Sequence, residues 1–125
     1  MDIDELSNEW IKAEESTDES DEENHWSIDY IIDLPLIGHY DELWAFIKQT
    51  YKKGMSNKVV GALAAGPLED LLADAGETYI DEIEELAKED PKFSYLLGGV
   101  WKSDMTEEVW ERVQRVWDSG AWDGS

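Results

Sequence analysis

Apolar residues recur in this chain at spacings of three and four residues, the period of one helix face, along most of its length. The first segment predicts an amphipathic helix over about residues 4–15, with a stripe formed by Ile3, Leu6, Trp10 and Ala13. No two segments of comparable strength can pair as strands. The pattern therefore predicts an all-α domain, either a short HEAT-like helical stack or an irregular bundle of six to eight helices.

Residues 26–34 fit either a helix or a strand by their apolar content. Asp29 and Asp33 lie four residues apart and would share one helix face, which favours the helix. Ser27 is its predicted N-cap. We expect this helix to end before Pro35, because the residue that precedes a proline avoids the helical region.

Glycines, prolines and capping residues divide the rest of the chain into further helices. The first is predicted from Tyr40 to about Lys53, with a stop at Gly54, and the second is a brief helix capped by Ser56. A third is predicted from Gly66-Pro67 to Gly76 and a fourth over about 78–89. A fifth begins at the cap Asp90 followed by Pro91, and the last spans about 106–118. At 125 residues the chain has the size of one domain. We predict a single helical domain over 1–118, with an acidic loop at 14–25 and a flexible tail at 119–125.

Charge is the second strong constraint, since 31 acidic and 10 basic residues give a formal net charge of -21. Such a chain is repelled by phosphate backbones and anionic lipid, so we expect no direct nucleic-acid or membrane contact, and its attractive partners are cationic surfaces. Between Glu14 and Glu23, seven of ten residues are acidic and none is basic. This run is typical of a solvated loop, and it is also a candidate arm for a basic partner through Asp18, Glu19, Asp21, Glu22 and Glu23.

Sequence motifs give catalysis little support. There is no cysteine, and His25 and His39 fit no metal-ligand spacing. Nucleophile, phosphate-binding and dinucleotide fingerprints are also missing, so we predict a protein that is not an enzyme and has no metal or cofactor. The lack of a signal-peptide pattern and of a long apolar run leads to the expectation of a cytoplasmic location.

The central segment Ala62-Leu-Ala-Ala-Gly-Pro-Leu-Glu-Asp-Leu-Leu-Ala-Asp, with Asp90-Pro-Lys-Phe and Leu97-Gly-Gly-Val-Trp further on, resembles a family of small all-helical bacterial proteins of unknown function. The resemblance covers about residues 26–117 and implies a bacterial, helical, cytoplasmic domain. Within the segment, Glu69 and Asp70 fall in the first turn of a predicted helix, where the helix dipole accounts for carboxylates. A role in partner binding is the alternative for both residues.

Seven tryptophans exceed the usual need of one small core, and tryptophan is enriched at binding hot spots. We expect core packing for Trp44, Trp101, Trp110 and Trp117. Trp122 lies in a glycine-rich tail without periodic partners, so it either docks back on the fold or anchors a partner.

These features together predict an acidic binding protein. Its most concrete form is an immunity protein that neutralises a cognate bacterial toxin or nuclease by covering a cationic active-site groove. The alternative is a DNA-mimic inhibitor of a defence or nucleic-acid-binding protein, and a carboxylate-based hydrolase is more remote. The oligomeric state and the identity of the partner remain open at this stage.

Overall fold

The fold is all helical, as predicted. The structure is a computed structural model that describes residues 2–15, 26–102 and 104–118. Within these ranges the chain forms seven α-helices, one π-helical segment and no strand. They are α1 (Ile3–Glu15), α2 (Trp26–Leu36), α3 (Tyr40–Thr50), α4 (Asn57–Leu63), the π segment (Ala64–Leu68), α5 (Glu69–Glu89), α6 (Pro91–Leu97) and α7 (Glu107–Val116). None of these helices is both long and apolar enough to cross a membrane.

The helices form a small irregular bundle rather than a HEAT-like stack. α1 packs against α2, α3 and α4, while the π segment contacts every helix from α2 to α6. In a stacked solenoid each unit would touch only its neighbours along the chain. One hydrophobic cluster, to which all the helices and the π segment contribute, forms the core of the bundle.

The two predicted N-caps of α4 and α6, Ser56 and Asp90, are confirmed. The Ser56 hydroxyl accepts a hydrogen bond from the Val59 N–H at 3.4 Å, and α4 begins at the next residue. The Asp90 carboxylate accepts from the Lys92 N–H at 3.0 Å and precedes Pro91, the first residue of α6. Thr106 caps α7 in the same way. A side-chain oxygen at each position satisfies one of the free N–H groups of the first helical turn.

The predicted end of α2 before Pro35 is wrong, because the helix continues to Leu36. The chain turns instead at Gly38, whose φ of 77° lies in the left-handed region. The Gly38 N–H donates to the carbonyl of Pro35, and the His39 N–H donates to that of Leu34. This is the Schellman pattern, in which a residue in the left-handed conformation follows the helix and the two hydrogen bonds satisfy carbonyls of its last turn. Ser27 lies inside α2 and is buried, so its predicted role as the N-cap is also wrong.

Two predicted glycine stops are absent as well. Gly66-Pro67 lies within the π segment, through which α4 continues into α5 without a break. A π turn accommodates a proline inside a helix because it rearranges the backbone hydrogen bonds around the missing N–H. α5 passes through Gly76 with only a kink at Ala75. The stop predicted at Gly54 falls a few residues after the end of α3, which is at Thr50. Glu14 and Glu15 belong to α1, while the rest of the predicted acidic loop and the tail 119–125 lie outside the described residues.

A buried pair of hydroxyl groups joins α1 to α3. The Thr50 Oγ1 lies 2.6 Å from the Phe46 carbonyl oxygen and 2.8 Å from the Ser7 Oγ, and both residues are fully buried. A hydroxyl has one hydrogen. If Thr50 donates it to the Phe46 carbonyl, then Ser7 donates to the Thr50 oxygen.

We expect Thr50→Val to lower the free energy of unfolding by about 1 to 2 kcal/mol, because it removes the acceptor and leaves the Ser7 hydroxyl buried without a partner. Ser7→Ala is expected to cost less, and the double variant Ser7→Ala/Thr50→Val to be more stable than Thr50→Val alone. Urea unfolding of the three variants measures this. A double variant that is less stable than Thr50→Val would contradict the assignment.

Candidate protein-binding surface

The structure describes two of the eight predicted site residues. Glu69 and Asp70 form the first turn of α5. The remaining six, Asp18, Glu19, Asp21, Glu22, Glu23 and Trp122, lie outside the described residues. The position of Glu69 and Asp70 follows from their neighbours, since Pro67, Leu68, Leu71 and Leu72 are buried and direct this turn's other face outward.

The helix-dipole explanation for Glu69 and Asp70 does not hold in the structure. The Glu69 N–H donates to the carbonyls of Ala64 and Gly66, because the helical backbone continues from the π segment into α5. The dipole effect acts at free helix ends, where backbone N–H groups have no partner. The helix dipole therefore does not account for the two carboxylates at this position.

Trp101 lies beside this turn and is the main residue that the sequence misplaced. Its backbone N–H donates to the Glu69 Oε2 at 3.4 Å. Val100 is buried in the core, whereas the Trp101 side chain is 75% exposed. The prediction of core packing for Trp101 is wrong, because the loop after α6 directs Val100 inward and Trp101 outward. The signal was its position after Gly98-Gly99, outside any helical period.

The other tryptophans divide between core and edge. Trp44 is buried, as predicted, and so is Trp10. Trp110 and Trp117 are half-buried and pack against each other edge to face, with ring centroids 5.1 Å apart. They cover the outside of the core instead of filling it.

Three carboxylates are concentrated at the start of α5. Asp70 and Asp74 lie one helical turn apart, and Glu69 precedes Asp70. Burial by neighbouring atoms raises the pKa of Asp70, and repulsion from Asp74 and Glu69 raises it further. The ion pairs of the described residues involve none of these three carboxylates. We refer to Glu69, Asp70, Asp74 and Trp101 as the α5 acidic surface.

We expect Asp70→Asn to raise stability at neutral pH by less than about 1 kcal/mol, because it removes a crowded charge at the surface. The folded-state pKa of Asp70 lies above its unfolded value, so its ionisation destabilises the fold above that folded-state pKa. The gain should therefore vanish as pH falls below the unfolded value of 3.8. Thermal unfolding across pH, with Glu85→Gln as a control of equal charge change, measures it. A gain that persists at low pH would contradict the electrostatic cause.

A second acidic face, further along α5, is neutralised by α7. The Arg112 Nη2 lies 2.6 Å from the Asp81 Oδ1, and the Arg112 Nε donates to the Glu84 Oε2 at 3.0 Å. The hydrogen bond from Arg112 lowers the pKa of Glu84. These two carboxylates hold α5 against α7, so they are less available to a partner than the α5 acidic surface.

The chemistry offered by the α5 acidic surface is recognition of positive charge. Within the described ranges, no three His, Asp or Glu side chains are grouped so that they could hold a metal ion. The surface combines negative charge with one large exposed tryptophan ring, and tryptophan is enriched at protein interfaces.

The fold and this surface define a small, acidic, all-α protein with an exposed carboxylate and tryptophan surface. In comparison with known families, residues 14–121 match the family described as a family of unknown function (DUF6869), and the chain belongs to that family. This confirms the resemblance to a family of unknown function that the central segment carries. Searches of curated proteins and of solved structures found no match.

Proposed function

We propose that this protein is a non-enzymatic binding protein that recognises a cationic protein through the α5 acidic surface. In its most concrete form it is a cytoplasmic immunity protein that covers the positively charged active-site groove of a bacterial toxin. The observation that carries the proposal is a tryptophan ring, 75% exposed, beside carboxylates that form no ion pair within the described residues.

The carboxylates and the tryptophan have different tasks in this proposal. Exposed like charges steer a partner of opposite charge and raise the association rate, and a net charge of -21 extends that field over the whole molecule. A ring that leaves water at the centre of an interface slows dissociation instead. The two contributions are separable by kinetics.

The experiment starts with the cationic protein cross-linked to this chain in its native cell and purified. Surface plasmon resonance then compares the wild type with Glu69→Gln/Asp70→Asn/Asp74→Asn and with Trp101→Ala. The control triple variant Glu82→Gln/Glu85→Gln/Glu89→Gln changes the charge by the same amount at exposed positions of the same helix.

We expect the site triple variant to slow association about tenfold at low salt and the control triple to slow it much less, with the difference shrinking as salt screens the charges. Trp101→Ala is expected to raise the dissociation rate by about 30-fold, the size of a hot-spot loss near 2 kcal/mol. Equal effects of the two triple variants would mean that only total charge matters. An unchanged dissociation rate in Trp101→Ala would place the interface elsewhere.

Two further arms address the biological role and the acidic run. Expression of the captured partner alone should arrest growth, and co-expression with the wild type but not with the site variants should restore it. Absence of toxicity together with competition by duplex DNA for the partner's binding site would favour the DNA-mimic alternative. A variant in which serine replaces Asp18, Glu19, Asp21, Glu22 and Glu23 tests the predicted acidic arm by the same surface plasmon resonance measurement.

A further inference from the structure

The outer face of α2 carries an apolar patch. Ile32 is 52% exposed, Leu36 is 77% exposed and Ile37 is 60% exposed. Ile32 and Leu36 lie one turn apart on the same side of the helix, and Ile37 follows directly at its end. Most large apolar side chains of the described residues are buried, so three exposed ones at neighbouring positions of one helix form a candidate interaction site. We refer to Ile32, Leu36 and Ile37 as the α2 patch.

The patch is not needed for packing the bundle. α2 already anchors itself on the core through Ile31, Leu34 and Pro35, which are buried. A surface helix ordinarily exposes a polar face opposite its buried stripe. α2 instead has apolar residues on both sides.

Carboxylates border the patch. Asp29 and Asp33 are both exposed. Asp29 lies one turn before Ile32, and Asp33 directly follows Ile32 in the chain. The helix contains no basic residue, and the ion pairs of the described residues include neither aspartate. Glu42, at the start of α3, accepts a hydrogen bond from the Tyr30 hydroxyl at 2.7 Å and adds a further acid near α2.

We infer that the α2 patch docks an amphipathic helix of a protein partner, with apolar residues on Ile32, Leu36 and Ile37 and flanking Lys or Arg side chains on Asp29 and Asp33. Charge complementarity selects this occupant. A second copy of this chain would bring Asp29 and Asp33 against like charges on a molecule of net charge -21. The inference rests on the proposed function only in taking the partner to be cationic, since the patch is distinct from the α5 acidic surface.

The test uses a synthetic peptide of leucine and lysine, about 18 residues or five helical turns long, with its leucines on one helix face. A second peptide of the same composition has its leucines spread evenly around the helix. Both are titrated into the full chain, with calorimetry for affinity and amide NMR shifts for location. Ile32→Ser/Leu36→Ser removes the patch without a charge change, and Gln114→Ser, at an exposed position of α7 outside both surfaces, is the control.

We expect the amphipathic peptide to shift amides of α2 and to bind at least tenfold more tightly than the scrambled peptide. The double-serine variant should lose about tenfold in affinity, whereas Gln114→Ser should bind like the wild type. Circular dichroism checks that both variants fold, which we expect because the replaced side chains are exposed. Equal affinity for the two peptides, or an unchanged affinity of the double-serine variant, would overturn the inference.

Two other outcomes separate this inference from its alternatives. A dimer of the wild-type chain in sedimentation experiments that Ile32→Ser/Leu36→Ser dissolves would assign the patch to a second copy and overturn the inference. Peptide shifts confined to Trp101 and the first turn of α5 would do the same while supporting the proposed function. Loss of native-partner binding in Trp101→Ala with full peptide binding at α2 would leave this inference standing.

Discussion

Replacing Phe93 by alanine is expected to lower the free energy of unfolding by about 3 to 5 kcal/mol. The Phe93 ring is fully buried where α6 meets the core. Its edge-to-face contacts join Trp44, with centroids 5.8 Å apart, and Tyr51, with centroids 5.2 Å apart. Such aromatic pairs contribute about 0.5 to 1.5 kcal/mol each beyond the area that they bury. Equilibrium urea unfolding measures the loss, with an unchanged slope expected because the native fold persists.

Two tryptophans provide controls for Phe93→Ala. Trp101→Ala removes a larger ring, but the ring is 75% exposed, so we expect a change within about 0.5 kcal/mol. Trp110→Ala should fall between the two, because Trp110 is half-buried and packs on Trp117. A loss from Trp101→Ala as large as that from Phe93→Ala would show that Trp101 is buried in solution and would remove the basis of the proposed interface.

Local sequence patterns predicted the features that depend on a few neighbouring residues. Ser56 and Asp90 were identified as N-caps because their side chains bond to N–H groups two or three residues ahead. The prediction of a helix over residues 26–34 was also correct. It depended on the spacing of Asp29 and Asp33, which lies within one short segment. Helix type and most starting points were therefore accessible without tertiary information.

Helix ends were less predictable because glycine and proline permit a break without requiring one. Gly66-Pro67 lies inside a continuous helical backbone, where a π turn accommodates the proline. Pro35 lies within the last turn of α2, and the glycine that ends this helix is Gly38. Which of these residues interrupts a helix depends on the packing of the surrounding helices.

The candidate site shows the same division. The sequence identified Glu69 and Asp70 as candidates because they are adjacent acids in the central segment. Only the structure shows that the helical backbone continues through this position, so that the helix dipole does not explain them. The position of Trp101 after Gly98-Gly99 lies outside any helical period, but only the structure shows that Val100 enters the core and leaves Trp101 exposed. The helix face that Asp29 and Asp33 share also contains Ile32 and Leu36, but only the structure shows that these two apolar side chains are exposed.

Gly76 is explained by a close approach between α5 and α7. A Cβ atom at this position would lie 3.0 Å and 3.2 Å from the two γ-methyl groups of Val109, which is tighter than ordinary carbon contacts. Val109 itself is buried, so it has little room to move away. Glycine therefore permits the contact between the two helices despite its low helix propensity.

We expect Gly76→Val to lower the free energy of unfolding by about 2 to 3 kcal/mol, because its branched side chain overpacks this contact. Gly76→Ala should cost less, since about 1 kcal/mol of helix propensity offsets its single methyl group. Adding Val109→Ala should restore part of the stability of Gly76→Val, so that the two changes are not additive in urea unfolding. Gly66→Ala is the control: nothing lies within 4 Å of a Cβ there, and no loss from overpacking is expected. A loss at Gly76 that Val109→Ala leaves unrelieved would mean that the backbone near the Ala75 kink, rather than the contact with α7, requires glycine.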